Sequence, residues 1–162
     1  MAIKELISIS PELLPYFESA YAAVSKDEIL ISQSTADVYD HEAQSLTIPL
    51  YGWNQFIEIW DACFGKEGYL NHQPSGLVEA DKNLLMKSYF LAEYGHQLQT
   101  RASNEPYISH PLIVARNKGV NDRQPAWVVG GLMDHDLDED SEDKGTKVTL
   151  SDIERITGSS YE

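Results

Sequence analysis

His110-Pro111-Leu112-Ile113-Val114-Ala115-Arg116 and Ala126-Trp127-Val128-Val129-Gly130 are the two stretches on which the fold class turns. Both are short apolar runs rich in β-branched residues, separated by the turn formers Asn117-Lys118-Gly119-Val120-Asn121-Asp122-Arg123. Branched side chains pack well on a pleated surface, so the pair reads as a β-hairpin or as two neighbouring strands. Two further strands are predicted upstream, Glu28-Ile29-Leu30-Ile31-Ser32 and Ser45-Leu46-Thr47-Ile48-Pro49-Leu50. The second belongs at an edge, because Pro49 has no amide hydrogen to give a ladder.

Four helices are predicted around these strands. Ser10-Pro11-Glu12 opens the first: serine caps it, proline fits the first helical position and the acid meets the positive end of the helix dipole. Leu13, Leu14, Phe17, Tyr21 and Val24 give it one apolar face, with Pro15 delaying its start by a turn. The second follows Gly52, with Trp53, Phe56, Trp60 and Phe64 on one stripe and Gly65 as its C-cap. That stripe reads as core, since large aromatics dominate core burial. The third and longest runs from about Glu79 to Arg101, with Leu84, Leu91 and Leu98 on one row. Leu85, Ser88, Ala92 and Gly95 form an adjacent row of mostly small residues where another element can approach closely. The last follows Leu150, where Ser151-Asp152-Ile153-Glu154 is a capping box and Gly158 stops the helix.

The order α, β, β, α, α, β, β, α groups its strands instead of alternating them. It predicts an α+β fold in which an antiparallel sheet of about four or more strands packs with three to four helices. With 162 residues, no repeat and no Gly/Ser-rich linker, the chain reads as a single domain over 1–162. No stretch has the 18 or so apolar residues of a membrane span. Met1-Ala2-Ile3-Lys4-Glu5-Leu6 lacks the features of a secretory signal, and one cysteine, Cys63, cannot form an internal disulfide. The expected compartment is the cytoplasm. Cys63 lies among Ile57, Ile59, Trp60 and Phe64 near Glu58 and Asp61, surroundings that predict a buried, inert thiol.

Charge is the strongest departure from the ordinary. Twenty-six acids against twelve bases give a net charge of −14. Direct nucleic-acid binding, which needs clustered Lys and Arg, is not expected. The imbalance sits at the ends: residues 1–67 carry −8, 68–133 carry +1 and 134–162 carry −7. Seven acids crowd the ten residues Asp134-His135-Asp136-Leu137-Asp138-Glu139-Asp140-Ser141-Glu142-Asp143. Such a run reads as a solvated loop, as a docking surface for a basic partner or as a loose cation site. The EF-hand pattern fails there, with Glu139 at its sixth position and Gly145 at its twelfth.

Diagnostic catalytic motifs are absent. There is no Gly-x-Ser-x-Gly, no Gly-x-Gly-x-x-Gly, and Gly65-Lys66-Glu67-Gly68 lacks the spacing of a phosphate loop. The histidines, His41, His72, His96, His110 and His135, form no His-x-x-x-His pair. His96 reads as a helix-surface or satisfied core residue and His110 as a strand opener. A metal site drawn from separate loops, such as His135 with Asp134 and Asp136, is left open by the sequence but not assigned.

The reading that these facts favour is an acidic cytoplasmic binding protein that docks on a basic protein and neutralises it, as an immunity protein inhibits a toxin. Its partner-binding residues are Asp134, Asp136, Asp138, Glu139, Asp140, Glu142 and Asp143. No catalytic residue, metal or cofactor is assigned. The alternatives are a small metal-dependent hydrolase with a site of dispersed carboxylates and histidines, and a scaffold or adaptor dimerising through the long helix.

Overall fold

The computed structural model describes residues 10–25, 39–40, 45–46, 52–96 and 107–135, with 137, 153–154 and 157–158. These residues are helical throughout their core, and the expected sheet is not there. Helix α1 spans Leu14–Ser25, α2 Trp53–Phe64, α3 Ser75–His96, α4 Ser109–Val114 and α5 Ala126–Asp134. A π-helical turn, Ala115–Val120, continues directly from α4. Strand structure among the described residues is confined to a two-residue antiparallel ladder, Tyr39–Asp40 against Ser45–Leu46. The predicted strand 28–32 lies outside the described residues.

Both decisive runs are helices, and burial shows why. In the α4 region Ile108, Pro111, Leu112 and Ala115 are buried while Ile113 is exposed. In α5 Ala126, Val129, Gly130, Met133 and Asp134 are buried while Trp127 is exposed. Each set falls at i, i+3, i+4 and i+7, one face of a helix, where alternation would have buried every second residue. Prolines open both segments. Pro111 lies in the first turn of α4, where a missing amide hydrogen costs nothing, and Pro125 accepts from the amides of Val128 and Val129 at 3.0 and 3.1 Å. The supposed turn between them widens into the π segment, in which Asn121 N–H bonds Arg116 O and Gln124 N–H bonds Gly119 O, both at 2.9 Å. Arg123, at φ 52°, then reverses the chain.

The predicted helices stand closer to their sequence reading. Helix α1 begins at Leu14 with Pro15 in its first turn, α2 occupies its expected residues and ends at Gly65, and α3 starts four residues early, after Pro74. Residues 97–101 lie outside the described set. Ile153 and Glu154 are helical, and Gly158, at φ 76°, takes the left-handed conformation of a helix stop.

One hydrophobic cluster joins these elements. Trp53, Phe56, Trp60 and Phe64 are all buried on the α2 stripe, as the sequence reading has it. Phe56 stacks on Tyr89 of α3 with ring centres 4.2 Å apart, and Phe17 of α1 meets Phe90 edge-on at 5.0 Å. Cys63 is fully buried in this cluster, and burial pushes its thiol up to about 12, which leaves it without thiolate character at neutral pH.

Helix α5 lies against α3 at the small-residue row. A Cβ on Gly130 would stand 2.6 Å from Ser88 Oγ and 3.2 Å from Ser88 Cβ, so only glycine fits at this crossing. Gly130→Val is therefore expected to lower stability by about 3 kcal/mol, the upper end of overpacking costs. Part of the loss should return in the double variant with Ser88→Gly; additive losses in urea denaturation would show that the two residues do not share one contact.

Candidate functional site

Two buried polar residues of the described core, Glu93 and His96, lie near the α3 C-terminus, and a third, Asp134, ends α5. Four rings lead outward in succession. His96, in the last turn of α3 and 2% exposed, lies 4.7 Å from Tyr107, ring centre to ring centre. Tyr107, half-buried before α4, meets His110 of the first α4 turn nearly edge-on at 5.7 Å. His110 in turn lies 6.1 Å from His135, which caps the end of α5.

His135 has a defined tautomer. Its Nδ1 lies 2.5 Å from the carbonyl of Leu132, and a carbonyl only accepts, so Nδ1 carries a proton and the neutral ring would coordinate a metal through Nε2. This arrangement makes a histidine a good metal ligand. Two imidazoles sharing one tetrahedral ion at metal–nitrogen distances of about 2.0–2.1 Å have ring centres about 5 Å apart. His110 and His135, at 6.1 Å, stand about 1 Å wider than that, so the rings are neighbours that would draw together to share an ion. Asp136, the next residue in the sequence, lies outside the described set, and the described residues hold no group of three or more candidate ligands.

Beneath this surface α4 is seated by a buried polar cluster. The Glu93 carboxylate of α3, 3% exposed, accepts the amide of Gly52 at 2.8 Å and the hydroxyl of Tyr89. Burial, and then the Glu93 charge, raise the Tyr89 phenol well above its ordinary range. Gly52 caps α2, and a Cβ there would lie 2.4 Å from Leu112 Cδ1 and 3.1 Å from Ile108 Cγ1. The bare backbone at Gly52 thus lets α4 approach, and the position of His110 follows from it.

The acidic run is not uniformly a solvent-facing surface. Asp134 is the last residue of α5, 3% exposed and turned into the α3 seam beside Ser88; Leu137 is fully buried. Neither Asp134 oxygen has a hydrogen bond of good geometry among the described residues. Burial pushes its carboxyl well above the ordinary 3.8, with the Ser88 hydroxyl acting the opposite way. Of the other expected docking residues, Asp136, Asp138, Glu139, Asp140, Glu142 and Asp143 lie outside the described residues. His110, read as a strand opener, opens a helix instead. A search for histidines four apart cannot find a pair 25 positions apart; the available signal was His135-Asp136, two donors in succession at a helix end.

Comparison with known proteins adds what the geometry alone does not. The chain is 37% identical over 84 residues to a guanosine-3′,5′-bis(diphosphate) 3′-pyrophosphohydrolase of Vibrio cholerae serotype O1. It is 43% identical over 72 residues to a GTP pyrophosphokinase of Streptomyces antibioticus, and 36% over 84 to the bifunctional (p)ppGpp synthase/hydrolase SpoT of Escherichia coli K12. These names point to nucleotide metabolism. The immunity-protein and inhibitor reading is overturned by them: acidity alone suggested a charged partner, and acidity does not distinguish a docking face from the surface of an enzyme. The matches take in 44–52% of this chain and 8–11% of each relative. No protein-family profile and no solved structure matches the chain. No described helix is long and apolar enough to cross a membrane.

Proposed function

We propose that this chain is a hydrolase of guanosine bis-diphosphate nucleotides, with His110 and His135 at its reactive centre. The observation that carries this is the juxtaposition of the two imidazoles across the α4–α5 corner, with the His135 tautomer set by the Leu132 carbonyl. Imidazoles and carboxylates suit divalent transition metals, and Asp136 follows His135 in the sequence. A divalent cation held there would supply a bound water of lowered pKa and neutralise diphosphate charge. That second contribution matters in a chain of net charge −14, which repels a polyphosphate in its absence. Hydrolysis is favoured over pyrophosphoryl transfer, because the sequence has no Gly-rich phosphate cradle and the histidine pair is suited to water activation.

The residues of this chain then divide the work. His110 and His135 fix the reactive position, the Leu132 carbonyl holds the His135 ring, and Glu93 with Gly52 fixes the helix that bears His110. In the reaction water oxygen bonds to phosphorus as the bond to the 3′ oxygen breaks; that oxygen leaves as a hydroxyl and pyrophosphate is released.

The test is pyrophosphate release from guanosine-3′,5′-bis(diphosphate) with Mn²⁺, with Zn²⁺ and with EDTA. Cation-dependent release is expected, and His110→Ala and His135→Ala should each lower it by at least about 100-fold, more than outer-shell changes at metal sites cost. Release unaffected by EDTA, or retained in both variants, would overturn the assignment.

A further inference from the structure

We propose that His96 and Tyr107 are positioning residues that hold the His110 ring at its working angle; this rests on His110 belonging to the reactive centre. His110 stands in the first turn of α4, whose buried face seats the backbone but does not set the rotamer of a partly exposed side chain. Its ring meets Tyr107, three residues earlier, edge-on, 5.7 Å between centres at 62°. Tyr107 is in turn backed by His96, 4.7 Å away and tilted by 36°, on the 22-residue helix α3. His96 is 2% exposed at the end of a rod that also carries the Tyr89 and Phe90 core contacts, so it is a fixed abutment. Aromatic pairs of this kind are favoured at ring separations of about 4.5–7 Å. The chain of contacts therefore transmits the position of the core to a side chain at the rim.

The consequence differs from that of an ordinary core residue. Loss of either ring should leave the described helices in place while freeing the His110 imidazole to sample other rotamers. Catalytic turnover then falls because the reactive geometry is occupied for less of the time, whereas substrate held by other groups keeps its affinity.

Two readouts test this on the full chain. The first is the aromatic ¹H–¹³C spectrum of the metal-free protein, in which the Tyr107 ring current displaces the His110 ring protons. Tyr107→Phe should keep that displacement and Tyr107→Leu should abolish it; His96→Phe should keep it and His96→Leu should reduce it. The second is pyrophosphate release, in which the two leucine variants should lose about 10–100-fold in kcat with little change in KM, the scale of orienting contacts around a reactive group. The spectrum needs no nucleotide, so a chain that shows the expected displacements but releases no pyrophosphate refutes the hydrolase reading and leaves the ring contacts standing. Unchanged His110 signals in Tyr107→Leu overturn the proposal, as does a loss in Tyr107→Phe, which would assign the role to the hydroxyl. If Tyr107→Leu does not fold, the His96 pair decides; unfolding of both leucine variants also overturns the proposal, since the rings would then belong to the core.

Discussion

Asp134→Asn is expected to make the protein more stable at pH 8.5 and to leave it nearly unchanged near pH 3.5, measured by urea denaturation with EDTA present. Asp134 is buried in the α3–α5 seam beside Ser88, with no hydrogen bond of good geometry to either oxygen among the described residues. Burial raises its carboxyl well above 3.8, so the native state holds a proton there that the unfolded chain gives up. Stability is therefore fully present below 3.8 and is lost as pH rises toward the native value. Every tenfold of extra proton affinity gained on folding is about 1.4 kcal/mol lost once the pH is above both values. An asparagine of the same shape does not titrate. At pH 8.5 the variant should be ahead by about 3 kcal/mol or more, since stranding a charged group costs more than stranding a neutral one. Parallel wild-type and variant stability curves across this range would show that Asp134 is solvated.

The second large effect is expected at Glu93. Glu93→Ala leaves the Gly52 amide and the Tyr89 hydroxyl buried without their acceptor and opens a cavity between α3 and α2. Each stranded donor costs about 1–3 kcal/mol, so a loss of about 3–5 kcal/mol is expected for the pair with the cavity. Glu93→Gln keeps one acceptor oxygen in the same shape and should lose about half as much. Because Gly52 lies against Leu112 and Ile108, Glu93→Gln should also lower pyrophosphate release by more than its stability loss explains. A Glu93→Ala loss under about 1 kcal/mol would mean that water replaces the carboxylate.

How far the sequence carries differs from element to element. Helix α2 is legible because Trp53, Phe56, Trp60 and Phe64 repeat at helical spacing between two glycines. The small row of α3 is legible too, and α5 crosses it where Ser88 meets Gly130. The antiparallel sheet was a misreading with an identifiable cause. Val128 and Leu132 fill the gaps between Ala126, Val129, Gly130 and Met133, so the run looks uniformly apolar and its period is hidden until burial is known. Short apolar runs such as Leu112-Ile113-Val114 carry strand propensity that packing on α5 and α2 overrides. The site was half legible for a related reason. His135 with Asp136 stands out beside the acids, but its pairing with His110 depends on the π turn and the reversal at Arg123, and no spacing rule encodes those.

The two histidines of the site are separated by only 25 positions, all within the segment that forms α4, the π turn and α5. Closing so short a loop costs little chain entropy, and the cost grows only logarithmically with length. Such local contacts form early, because they do not wait for distant parts of the chain to meet. The histidine pair is thus assembled by a helical corner that can collapse onto α3 as a unit. Its folding history is tied to that rod, and the order in which α1 docks should matter little to it.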